Sequence, residues 1–229
     1  MTKGKGWITV LFLLFSLVFV GITHQGTMFG DYLFRTIGIP PWSEPATNHG
    51  LHYSAIFGII LLIFSGSLTI KHFRQRYKKY VGRTVLLAII IFIILYPFLT
   101  ERLYYLVNMN NDGIEVVDFL EKDSHCMYGT QEDIVQVQCT IRLINYGGQN
   151  ETVMIRPIFR EYGNPQGIWS FAEVQPQEIT LLPRSNIKYN IHFESKSDAR
   201  IAEFGADGNT DYFGVEFVKD GQKKVVFRE

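Results

Sequence analysis

In the first half of the chain apolar positions come in long unbroken runs, and in the second half they alternate with polar ones. The first run lies in a stretch from Gly6 to Gly30 without Asp, Glu, Lys or Arg, and its centre, ITVLFLLFSLVFVGI, is apolar on every helical face. A helix that is apolar all round belongs in lipid or in the core of a much larger protein. A second uncharged stretch runs from Pro45 to Ile70, with AIFGIILLIFSGSLTI as its apolar part, and a third, TVLLAIIIFIILYPFLT, spans Thr84 to Thr100. The third lengthens through Tyr104 and Tyr105, residue types that suit a membrane interface. These runs predict three transmembrane helices, over about residues 7–25, 51–70 and 84–104. A cleaved signal peptide is the other reading of the first run, but VGITHQG offers no small-x-small site, so an uncleaved helix is expected.

From Asn108 onward the period drops to two. In IVQVQCTIRLIN, Val135, Val137, Cys139, Ile141 and Leu143 fall on one face, with Gln136, Gln138, Thr140 and Arg142 opposite. NIKYNIHFE repeats the pattern, with Ile187, Tyr189, Ile191 and Phe193 inward and Lys188, Asn190, His192 and Glu194 outward. Weaker strands are expected in IEVVDFL, ETVMIRPIF, IWSFAEV and EITLL. YFGVEFVKDGQKKVVF adds a hairpin whose tight turn is Asp220-Gly221. Several short strands separated by turn signals predict an antiparallel β-sandwich over residues 108–229.

Residues 113–229 resemble, at superfamily level, the immunoglobulin-like modules of bacterial surface proteins. The resemblance is carried by CTIRLINYGGQN, a strand ending in an Asn-x-Gly turn, and by ITLLPRSNIKYNIHF, where a Leu-Pro turn leads into an alternating strand. An immunoglobulin domain pairs two cysteines on distant strands around a core tryptophan; this chain departs from that pattern, so the resemblance implies the sandwich architecture alone.

Charge changes the picture, because a formal net charge of zero hides a division. Residues 1–107 hold ten Lys or Arg against three Asp or Glu, and residues 108–229 hold twelve against nineteen. The basic residues of the first half concentrate in the loop 71–83, KHFRQRYKKYVGR, through Lys71, Arg74, Arg76, Lys78, Lys79 and Arg83. Short loops of this kind stay in the cytoplasm. Lys3 and Lys5 place the N-terminus on the same side; the loop 26–50, with Arg35 as its one basic residue, and the acidic C-terminal half fall outside. Both flanks of the basic loop are lodged in lipid, so anionic headgroups, and not nucleic acid, are its expected partners.

The two cysteines, Cys126 and Cys139, then lie in an oxidising compartment, and a structural disulfide is expected. At the outer surface His24 follows the first span, while His49 and His52 open the second. Three apart, they share a helix face if the helix begins that early, and with Glu101 they form a candidate metal or haem site. The ordinary reading is polar anchoring among headgroups. Ser54 and Gly58 form a small-xxx-small face for helix packing. Trp169 and Phe171, beside the GNPQG turn, are candidate partner-binding aromatics.

The spans lack the ionisable mid-membrane side chains that transport requires. The C-terminal half carries no nucleophile elbow and no phosphate-binding loop, so no catalytic residue is assigned. The sequence therefore predicts a non-enzymatic, multi-pass plasma-membrane protein, bacterial in character, with no cofactor. Its extracytoplasmic module would bind, sense or assist a membrane-protein or cell-envelope partner. The competing reading is a small membrane enzyme or redox subunit built on the outer histidines.

Overall fold

The computed structural model describes residues 4–44, 49–77, 80–131, 134–159, 174–196, 207–210 and 213–227. The chain divides into two compact units between Leu103 and Tyr104.

The first unit is helical. Its elements are α1 (Gly4–Val20), α2 (Phe29–Thr36), a two-stranded ribbon of β1 (Trp42–Glu44) and β2 (His49–His52), α3 (Tyr53–Tyr77) and α4 (Val81–Val107), whose last turn counts with the second unit. Helices α1 and α3 run antiparallel along a seam of small and hydroxylated residues. Thr69 Oγ1 donates to the carbonyl of Thr9 at 3.1 Å, and a Cβ on Gly6 would stand 2.8 Å from Nε2 of His72. At the other end of the seam a Cβ on Gly58 would collide with Val20 and Phe19. In lipid there is no hydrophobic drive between helices, so such close backbone approach is what lets them adhere. Helix α2 ends where Gly38, at φ +79°, closes the last turn, with the N–H of Ile39 bonding the carbonyl of Phe34 at 2.8 Å.

Among the described residues two helices are long and apolar enough to cross a membrane, α3 over Tyr53–Gln75 and α4 over Val81–Val107. This corrects the expectation of three spans. Helix α1 has 17 residues, because the chain leaves the helix at Gly21 and pairs Ile22 with Met28 in a β-bridge. At 1.5 Å per residue that is about 25 Å, short of a hydrocarbon core about 30 Å thick. An all-round apolar pattern records the burial of a helix and not where it stops.

The second unit is β-rich. After a 3-10 turn at Ile114–Val116 come β3 (Val117–Gln131), β4 (Ile134–Asn145), β5 (Glu151–Phe159), β6 (Gln177–Leu181), β7 (Ser185–Lys196), β8 (Asp207–Thr210), β9 (Phe213–Lys219) and β10 (Gln222–Val226). They form two antiparallel sheets, ordered β10-β9-β5-β6 and β7-β4-β3-β8. The alternation in β4 is realised: Val137, Cys139, Ile141 and Leu143 are buried, and Gln136 and Gln138 are exposed. They share one core with Phe119, Ile155, Leu181, Phe193, Val215 and Phe217. The β9–β10 turn is Asp220-Gly221, both at positive φ, as a two-residue hairpin turn requires. Lys224 of β10 reaches back to the start of the unit, where its Nζ donates to the carbonyls of Glu115 at 3.0 Å and Val117 at 2.8 Å.

The immunoglobulin-like sandwich is not what forms. The β architecture is curled and open, a half-barrel whose sheets end in edge strands. The disulfide also lies elsewhere, since Cys126 and Cys139 are direct cross-strand partners of β3 and β4 within one sheet, 13 residues apart in sequence. An immunoglobulin bridge joins the two sheets. Alternation reports that one face of each strand is buried, which a half-barrel and a sandwich satisfy alike.

Candidate functional site

Two polar groupings stand out, one in each unit. In the helical unit Asp31 occupies the first turn of α2, where the helix dipole favours a carboxylate. Its Oδ1 accepts from Nε2 of His52, the last residue of β2, at 2.7 Å, and from the hydroxyl of Ser54, in the first turn of α3. The imidazole of His52 stacks on the indole of Trp42, with centroids 3.8 Å apart and planes 11° from parallel. One carboxylate thus ties α2, the β1–β2 ribbon and α3 together, and Ser54 is fully buried there.

The residue types are those of a hydrolase triad, but the order is wrong for nucleophilic chemistry. A catalytic serine hands its proton to histidine, whereas here the carboxylate stands between the two, and the hydroxyl donates to it. The grouping is a fastening. Nearby, the backbone N–H of His24 donates to Oγ1 of Thr100 at 3.1 Å, and its Nδ1 lies 3.2 Å from the same oxygen. The same hydroxyl lies 2.9 Å from the carbonyl of Pro97.

The expected metal-site residues are therefore divided among different neighbours. His24 is engaged with Thr100, and His52 with Asp31 and Trp42. The shared helical face expected for His49 and His52 does not form, because both belong to strand β2 and α3 begins at Tyr53. Glu101 is half-buried in α4. Among the described residues no three His, Cys, Asp or Glu side chains gather to hold a metal ion. Gly58 lies in the α1–α3 seam; Ser54, four residues before it, is bound to Asp31. Lys71, Arg74 and Arg83 are exposed near the facing ends of α3 and α4, and Arg76 is on the last turn of α3. Lys78, Lys79, Trp169 and Phe171 lie outside the described residues.

In the β unit the disulfide is completely buried, while the opposite face of the same sheet is polar. Across that face Asn209, Met127, Gln138 and His192 stand side by side on β8, β3, β4 and β7, all exposed. One row along, Thr140 donates to Oδ1 of Asn190 at 2.9 Å. At the next end β3 carries a bulge between Leu120 and His125, in which Asp123 takes φ 68°. Its carboxylate reaches Nη1 of Arg142 at 3.0 Å and Nζ of Lys188 at 3.6 Å. The missing ladder bond is replaced by Ser124, whose hydroxyl donates to the carbonyl of Leu120 and accepts from the N–H of Arg142 at 2.9 Å.

Sequence reasoning missed Asp31, though a signal existed. It and Glu44 are the sole acidic residues before Glu101, and Asp31 directly follows the uncharged first stretch. A carboxylate at the rim of an apolar region needs a partner, and His52 and Ser54 are its partners. Compared with protein-family models, with curated proteins and with solved structures, the chain matches none. Nothing in those comparisons ties the β unit to immunoglobulin-like modules.

Proposed function

We propose that the chain is an integral plasma-membrane protein that holds its β unit outside the cytoplasm as a non-enzymatic binding or sensing module for a membrane or envelope partner. The observation that carries this reading is the buried Cys126–Cys139 disulfide, since such bonds persist where thiols are oxidised. The charge pattern agrees independently. Lys71, Arg74 and Arg83 flank the α3–α4 connection, and a basic connection retained in the cytosol sends the chain after α4 to the other side. Orientation thus rests on the α3–α4 pair and does not depend on α1. The polar, lightly charged sheet face bearing Gln138, Asn190 and His192 suits hydrogen bonding to a partner surface.

The test is side-specific labelling of the full chain in intact cells with a membrane-impermeant maleimide. The native cysteines are bonded to each other and stay silent. A cysteine introduced at exposed Lys223 is expected to react, and one at Arg74 to react only after permeabilisation. The reverse pattern would remove this reading. The redox-subunit alternative, with metal or haem on His24, His49, His52 and Glu101, draws no support from the described side chains. Metal analysis and an optical spectrum of the purified protein address it directly.

A further inference from the structure

The longest sheet edge in the β unit is β7. It pairs with β4 from Ser185 opposite Asn145 to Lys196 opposite Ile134 without a register shift, and among the described residues no strand lies on its other side. An edge meant to stay bare is blunted by a proline, a bulge, shortness or charge; β7 has none of the first three over its 12 residues, and its charges, Lys188, Glu194 and Lys196, are of both signs.

Which backbone groups it offers follows from the cysteine pair. The Cα atoms of Cys126 and Cys139 are 4.0 Å apart, the close spacing of a non-hydrogen-bonded antiparallel pair. The N–H and C=O of Cys139 therefore turn toward β7 and meet Ile191. Alternation along the unbroken register then aims the N–H and C=O groups of Lys188, Asn190 and His192 away from β4, toward the open edge.

We propose that β7 pairs antiparallel with β7 of a second copy of this chain, about a two-fold axis at Ile191, joining two four-stranded sheets into one of eight. The sequence of β7 complements itself in this register. Residues of the buried face must meet residues of the same face, which leaves two registers of longest overlap. Centring on Asn190 sets Lys188 against His192, two basic side chains. Centring on Ile191 sets Lys188 against Glu194 and Tyr189 against Phe193, each twice by symmetry. Facing opposite charges favour the second register; Phe193, already buried in its own core, adds little to it. One strand supplies both members of every favourable pair, and that is what selects a copy of itself over an unrelated strand. The proposal is independent of which side of the membrane the β unit occupies.

The test measures the mass of the full chain in detergent and in nanodiscs over a concentration series. The wild-type chain is expected to dimerise. Lys188→Glu sets like charges opposite each other twice and is expected to weaken the dimer about tenfold. Lys188→Glu with Glu194→Lys is expected to restore it. Both variants lose the exposed Lys188–Asp123 contact equally, so their difference reports on the dimer alone. Asn190→Pro removes an outward N–H, leaves the β4 ladder intact, and is expected to give a monomer whose circular dichroism is unchanged. A wild-type chain that stays monomeric overturns the proposal. So does a dimer that ignores the charge exchange, which would place the contact in the helices or with another strand.

Discussion

Lys219 and Glu151, 68 residues apart in sequence, meet on the second unit with Nζ 2.5 Å from Oε2. The carboxylate is almost fully buried, and its other oxygen accepts from the N–H of Gly113 at 2.9 Å, so this ion pair pins the start of the β unit to β5 and β9. Removing one partner strands the other. Lys219→Met leaves a buried carboxylate without its cation and is expected to cost about 2 to 4 kcal/mol, the buried-pair range lowered for the partial exposure of the lysine. Glu151→Gln, which keeps an acceptor for Gly113, is expected to cost less. Denaturant unfolding of the two variants, followed by circular dichroism, checks the order.

The same pair sets a pH limit. The hydrogen bond to Glu151 is the largest influence on Lys219 and raises its pKa above the ordinary lysine value, outweighing the opposing effect of burial. A lysine with a raised folded pKa contributes stability that is complete below its unfolded pKa of about 10.4, and loses it as pH climbs through the folded value. Stability should therefore fall across that alkaline window. Lys219→Arg keeps a cation that does not titrate there and should flatten the fall. Thermal unfolding of both proteins from neutral to alkaline pH measures the difference.

Reduction should weaken the β unit. Closing a loop of about 14 residues stabilises by roughly 3 kcal/mol on the chain-entropy account. Cys126→Ala with Cys139→Ala is expected to lower the unfolding free energy by that amount and the denaturant midpoint with it, and dithiothreitol should do the same to the wild-type chain and nothing to the variant. An unchanged midpoint in both would show that the loop is already ordered without the bond.

Gly58 has no room for a side chain. Even a methyl group would press on Val20 and Phe19 across the α1–α3 seam. Gly58→Leu is expected to separate the two helices, at a cost of about 1 to 3 kcal/mol typical of overpacking. Protease sensitivity near α1 in detergent reads this directly. Gly66→Ala, where nothing stands within 4 Å of a new Cβ, is the control and should behave as wild type, whereas Gly58→Ala should already loosen the seam.

Local periodicity carried the apolar character of α3 and α4, the inward set of β4 and the Asp220-Gly221 turn, because each is decided by neighbours along the chain. It failed where distance matters. The pairing of Asp31 with His52 and that of Glu151 with Lys219 join residues whose own segments give no sign of each other. The first span was misread for a related reason. Hydropathy continues to Ile22, but the helix yields at Gly21 to a turn that the Ile22–Met28 bridge closes. At β7 the pattern gave the right phase and too much burial. Ile187 is 37% exposed, since the end of an edge strand outruns the core that covers Phe193. The disulfide was legible as a pair, and the structure places it between neighbouring strands of one sheet.

The grip of Lys224 on the carbonyls of Glu115 and Val117, with β9 seated between β5 and β10, has a temporal meaning. Synthesis delivers β5 and its partner β6 long before β9, so β5 first has a neighbour on one side alone. Closure of the β unit therefore waits for the final hairpin, which both covers the open edge of β5 and locks the opening turn.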